Sequence, residues 1–246
     1  MFARIVSCVL VIAFAGIAEA AITDTTDAGV VATFQSGATV QNFDSISGRT
    51  PLAITSYTSG TPVPSSAFVF NQVAGVQFSV GGMVGVNEPA LYSLGGGIAG
   101  DAKSQPTVLG PVDFNFQTLF GSGGAMIEIF FPTKVSKVGF WLNPSLGNVN
   151  VIAADTNFAF SGQSETNLET ASNVVAGHFI GISRPTADIG GFKIIGLGTA
   201  GFTIDDFTYG GGSTTAPVPE PGTLALVAGG VVALALRRRT RRARSK

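Results

Sequence analysis

The sequence predicts an all-β protein: an antiparallel β-sandwich, jelly-roll-like, flanked by a signal peptide and a C-terminal transmembrane sorting helix. Three observations lead there. Charged residues make up only 12% of the chain while Gly (33) and Phe (19) are abundant, a composition suited to tight turns and aromatic-rich sheets. Short runs of branched and aromatic residues recur between clusters of Gly, Pro, Asn and Ser. No central stretch holds a helical apolar stripe for three turns.

The N-terminal element is a leader. Arg4 supplies a positive start, Ile5 to Ile17 an apolar run, and Ala18-Glu19-Ala20 a small-residue cleavage site, so residues 1–20 are removed and the mature chain begins at Ala21 after a cut between Ala20 and Ala21. The only cysteine, Cys8, leaves with the leader. Disulfide and thiol chemistry are thereby excluded from the mature chain.

Residues 21–209 form the folded domain. Its predicted strands are Val30 to Phe34, Thr39 to Phe43, Ala67 to Phe70, Val76 to Val80, Asp113 to Phe116, Met126 to Phe131, Lys137 to Leu142, Asn148 to Ala154, His178 to Ser183, Gly191 to Ile195 and Phe202 to Tyr209. That many short strands cannot bury their faces in one open sheet, and two packed sheets are the economical solution. Ser45 to Ser66 and Gly85 to Val112 read as long Gly/Ser/Pro-rich loops, common carriers of binding function.

After Tyr209 the composition changes. Residues 210–217 are a flexible Gly/Ser/Thr linker, followed by Val218-Pro219-Glu220-Pro221, an apolar run over 222–236 and a basic tail over 237–246. As a helix the apolar run spans roughly 22 Å, short of a hydrocarbon core of about 30 Å. Arg237, Arg238 and Arg239 open the basic tail. Their long side chains snorkel to the interface and hold that end on the cytoplasmic side, which puts the domain outside. Pro219 and Pro221 keep the segment before the helix extended, with Glu220 presented just outside the bilayer.

Pro219-Glu220-Pro221, the short hydrophobic span and the terminal Arg cluster together resemble the PEP-CTERM sorting signal of Gram-negative bacteria. The resemblance covers the last thirty residues. It implies a membrane-anchored precursor, recognition and cleavage by an exosortase, and a final location at the cell surface or outside, in bacteria that build exopolysaccharide and biofilm matrix. The domain itself resembles, more distantly, β-sandwiches found in such exported proteins, through Val135 to Phe140, Phe179 to Ile182 and Phe202 to Phe207. None of these phrases implies an activity.

Charge and motif spacing narrow the function. Between Ala21 and Ser213 lie six basic and thirteen acidic residues, which disfavours nucleic acid as a partner because such binding needs a basic footprint. Gly95 to Gly100 and Gly196 to Gly201 both match G-x-G-x-x-G, yet a strand rather than a helix is predicted after the second, so both read as turns. His178 is the only histidine; zinc sites of ordinary composition are excluded, and no G-x-S-x-G elbow accompanies it to make a triad. It reads as a strand-edge residue. Trp141 lies in a strand and reads as core rather than as a sugar platform. Two carboxylates suffice for a glycoside hydrolase, and sequence alone leaves many pairs.

Asp205-Asp206 is the most informative acidic pair. Alternation puts Phe202, Ile204 and Asp206 on one face, so a carboxylate follows an apolar row and needs a partner. Calcium is one such partner, with Asp44 after Phe43 as a further ligand if first and last strands pair. Hydrogen bonds from backbone amides are the favoured alternative. The expected function is a non-enzymatic exported protein of the surface or matrix, with a carbohydrate-binding module as the alternative and a secreted glycoside hydrolase more distant. The expected partners are exosortase, the cytoplasmic membrane as a transient anchor, and exopolysaccharide; no catalytic residue is assigned.

Overall fold

The computed structural model describes residues 20–56, 62–79, 89–98, 100–112, 125–155, 166–197 and 201–211. The predicted leader up to residue 19, the strand Asp113 to Phe116, and the chain from 212 onward, with its linker, sorting motif, transmembrane segment and basic tail, lie outside these residues. Among the described residues no helix is long and apolar enough to cross a membrane.

The chain forms β1 (Ala21–Thr25), α1 (Ala28–Gln35), β2 (Ala38–Gln41), β3 (Leu52–Ile54), β4 (Gln77–Ser79), β5 (Ala90–Leu94), β6 (Thr107–Gly110), β7 (Met126–Val135), β8 (Lys137–Leu142), β9 (Val149–Ala154), β10 (Asn167–Val174), β11 (Phe179–Ser183), β12 (Ile189–Gly196) and β13 (Ile204–Gly210). They make two sheets. One runs β1-β11-β8-β13-β6-β5-β3 with β2 also beside β13, and the other runs β10-β9-β12-β7-β4. Every pairing is antiparallel except β3 with β5, so the fold is the β-sandwich that alternation predicts.

The core lies between the sheets. Phe78, Ile127, Ile129, Phe131, Val151, Phe192 and Ile194 project from the five-stranded sheet against Leu109, Phe140, Ile180, Ile182, Phe202, Ile204 and Phe207 of the other. Phe207 sits edge-on to Phe78 (5.8 Å between centroids) and stacks on Phe131 (6.4 Å). A second cluster, with Phe68, Ala90, Tyr92, Leu94 and Val108, packs around β5 and β6.

Several expectations are corrected. Val30 to Phe34 is not a strand but part of α1, begun by Asp27, whose carboxylate accepts the amides of Gly29 and Val30. Satisfying the first orphan amides favours the helix over the β-branched character of the segment, and Val31 and Phe34, three apart, bury one face. Ala67 to Phe70 holds a short 3-10 turn at Ser65–Ala67 and a single bridge from Phe68 to Ala90. The segments read as long loops contain β3, β5 and β6. β10 is an edge strand of mostly polar residues, so it gave no apolar signal.

α1 lies across the outside of the eight-stranded sheet, where two glycines face one another. Gly181 pairs with Gly139, and a Cβ on Gly181 would stand 2.6 Å from the Phe34 ring. The slot admits Phe34, which meets Phe179 edge-on at 5.2 Å. Lys137 Nζ fixes the far end of the helix by donating to the carbonyls of Phe34 (3.0 Å) and Ser36 (3.1 Å).

Candidate functional site

The carboxylates singled out by sequence come together where β13 is interrupted. Ile204 and Asp205 pair with Leu142 and Trp141, and the ladder with β8 resumes only at Thr208. Asp206, with φ of 45°, takes the left-handed conformation that makes such a bulge. The extra residue inverts the alternation, so Phe207 and Tyr209 join Phe202 and Ile204 in the core. The expectation that Asp206 continues the apolar row is therefore corrected: Asp205 is the fully buried carboxylate, and Asp206 is half-buried.

The loop between a 3-10 turn at Gly96–Ile98 and β6 closes over this bulge. Ser104 donates its amide to Asp205 Oδ2 (2.7 Å) and its hydroxyl to Oδ1 (3.0 Å). The amide of Asp206 donates to Asp205 Oδ1 at 2.7 Å. Asp44, just after β2, accepts the amide of Thr107 at 3.1 Å, and the Ser104 hydroxyl also lies 3.3 Å from the Asn42 carbonyl. β2 does pair with β13, and this brings Asp44 near enough to Asp206 to raise its pKa.

Electrostatics follow from the burial. Desolvation pushes the Asp205 carboxyl up to about 7, opposed by the amides of Ser104 and Asp206. Asp206 is also raised, first by desolvation and further by Asp44, while Ser104 and Lys103 pull the other way. Lys103 Nζ lies 4.2 Å from the centroid of Trp141. Trp141 is buried against Phe179 at 5.8 Å. Both Asp205 oxygens are committed to protein donors, so the arrangement locks the 101–107 segment onto the sheet. Among the described residues no three His, Cys, Asp or Glu side chains are grouped to hold a metal ion.

The other predicted positions are spread over the fold. His178 stands just before β11, with Nδ1 2.6 Å from Asp24 Oδ1 on the edge strand β1. Ala20 directly precedes β1, and Ala21 is its first residue, paired with Ser183. The chain leaves the domain through Gly210 and Gly211, with φ of 119° and 73°. Ser136 secures this exit, its amide donating to the Gly210 carbonyl (3.1 Å) and its hydroxyl to that of Gly211 (2.6 Å). Pro219, Glu220, Pro221 and Arg237 to Arg239 fall outside the described residues.

One polar row escaped the sequence reading. Ser79 on β4 faces Glu128 on β7, which faces Lys193 on β12, all on the side of the sheet away from the core. Lys193 Nζ lies 3.3 Å from Glu128 Oε1. Alternation within Met126 to Phe131 was the available signal, since inward Ile127 and Ile129 turn Glu128 outward.

No curated protein matches the chain. Among solved structures it is similar to the family 32 CBM of C. perfringens NanJ in complex with galactose (12% identity, 55% of this chain and 93% of that one, TM-score 0.33). It is also similar to the K2 cleaved adhesin domain of Lys-gingipain (12%, 70% and 99%, 0.39) and to TmCBM61 in complex with beta-1,4-galactotriose (15%, 55% and 88%, 0.26). Residues 217–239 match the family model of the PEP-CTERM protein-sorting motif, so the chain carries, directly after its folded domain, the signal of an exported and sorted protein.

Proposed function

We propose that the chain is a non-enzymatic protein of the cell surface or extracellular matrix, cut by an exosortase at its PEP-CTERM tail and associated with exopolysaccharide. The observation that carries this reading is the sorting motif at 217–239, only six positions beyond Gly211, where Ser136 holds the end of the sandwich. From Gly211 to the expected start of the apolar run at Gly222 an extended chain reaches at most about 40 Å, so the domain stays tethered to the membrane until the tail is processed.

The acidic pair singled out by sequence supports a structural role, because Asp205 is taken up by Ser104 and Asp206. Fractionation of the native host into membrane, surface and medium, with intact mass of the recovered protein, tests the proposal. The parent should lose its Arg-rich end, and Glu220→Ala should keep it and stay in the membrane fraction. Equal processing of both would overturn the role given to Glu220, and a cytosolic protein with both ends intact would overturn the whole reading.

A further inference from the structure

We propose that β1 pairs edge to edge with the β1 of a second copy, about a two-fold axis at Thr23, once the protein has left the membrane. β1 ends the eight-stranded sheet, and among the described residues nothing pairs with its outer edge. Unpaired edges invite a further strand unless they are short, bent or charged. The other free edges carry such protection: β3 and β4 have three residues each and β2 four, while β10 breaks register twice and holds Asn173 at φ of 55°. β1 has none. Its five residues keep unbroken register with β11, it contains no Pro, Lys or Arg, and its single charge, Asp24, is held by His178 at 2.6 Å. Ile22 is 46% exposed on this strand.

The strand's own sequence selects the occupant. The expected cut between Ala20 and Ala21 leaves no residue before β1 to fold over it, and the tail departs from β13, three strands away. Laid antiparallel on itself about Thr23, β1 sets Thr23 against Thr23, Ala21 against Thr25 and Ile22 against Asp24. Threonine pairs favour such a seam, and no carboxylate meets another. Both Ile22 side chains fall on one face as diagonal neighbours, each gaining apolar cover that it lacks alone. The topology decides when this happens. Ala21, Ser183, Lys137 and Gly210 form one row across four strands, so β1 begins at the end from which the tail departs. The two-fold reverses the second copy and sends the two tails out of opposite ends of the shared sheet. Copies anchored side by side in one membrane point their tails the same way and cannot adopt it. Release by the exosortase, the one element that rests on the proposed function, removes that constraint.

The test uses the processed protein recovered from the host. A seam of five residues per copy is smaller than a stable dimer interface, so sedimentation should show a monomer–dimer equilibrium with a dissociation constant of about 100 µM. Ile22→Asp, facing Asp24 across the seam, should weaken it at least about tenfold, whereas Ile22→Lys should not weaken it; both replace an exposed side chain. The only cysteine leaves with the leader, so Thr23→Cys supplies a lone thiol that meets its own copy across the axis, within reach of a disulfide. It should oxidise to a dimer at least about tenfold faster than Thr25→Cys, which lies opposite Ala21 and away from its counterpart. A parent monomeric at about 1 mM, Ile22→Asp associating like the parent, or equal oxidation of the two cysteine variants overturns the seam. Equal crosslinking of Thr23→Cys while Glu220→Ala holds the chain in the membrane overturns its dependence on release. Glu220→Ala processed like the parent overturns the role given to that residue in sorting alone, because the measurements in solution do not involve the tail.

Discussion

Ser104 and Asp205, 101 positions apart, are joined by the Ser104 amide and hydroxyl, both donated to one buried carboxylate. That carboxylate also receives the amide of its neighbour Asp206. One side chain thus ties the 101–107 segment to the middle of the larger sheet and holds the bulge that turns Phe207 and Tyr209 inward.

Replacing Asp205 should therefore unfold the protein more easily without any change in the apolar core. In Asp205→Asn one amide meets an NH₂ donor instead of an acceptor, and the expected loss is about 1–3 kcal/mol. Asp205→Ala strands both amides and should cost more, while Ser104→Ala keeps its amide bond and should cost about 1 kcal/mol. Urea unfolding reads all three; an Asp205→Asn protein as stable as the parent would contradict the described lock.

The same carboxyl gives stability a pH dependence of defined sign. Burial raises Asp205 to about 7 in the folded chain, against about 3.9 in an unfolded one. The folded state therefore holds the proton more tightly, and this contribution is complete below about pH 4 and lost as pH rises through about 7. Melting temperatures at pH 5 and pH 8 should fall more for the parent than for Asp205→Asn, which has no proton to lose there. Parallel changes in the two proteins would refute the assignment.

The paired glycines under α1 predict unequal penalties. A Cβ at Gly139 would lie 2.7 Å from the carbonyl oxygen of Ile180, whereas at Gly181 it meets the Phe34 ring. Backbone cannot yield as a ring can, so Gly139→Ala should cost about 1–3 kcal/mol. Gly181→Ala should instead loosen α1, seen as a changed near-ultraviolet signal from Trp141 and its aromatic neighbours with a smaller shift in melting. The reverse order of stabilities would count against this packing.

Calcium should not raise the melting temperature. Asp205 spends both oxygens on Ser104 and Asp206, and Asp44 Oδ1 on the Thr107 amide, which leaves fewer free oxygens than a calcium shell requires. Scans in millimolar calcium and in chelator should superimpose, and an upward shift with calcium would restore the metal reading.

The sheets were legible because Lys137 to Leu142, Asn148 to Ala154 and Gly191 to Ile195 combine branched residues with clear boundaries, and their observed strands differ by two residues or fewer at either end. α1 was misread because Val30, Val31 and Thr33 favour strands locally while Asp27 acts through two backbone amides that periodicity does not register. β10 was missed because an edge strand with solvent on one side needs no apolar face. At the candidate site the three acids that sequence singled out lie near one another in the fold, but one inserted residue exchanged the expected positions of Asp205 and Asp206. Strict alternation cannot foresee a bulge.

The exit through Gly211 has a mechanical consequence. Gly210 is bonded to Lys137 on one flank and to Ala38 on the other, so β13 is gripped along both sides at the point where the chain departs. A pull from beyond Gly211 runs along the strand and strains these bonds together in shear. Hung from its outermost strand β1, the same sandwich would peel apart one rung at a time; suspended from β13, it resists as a block.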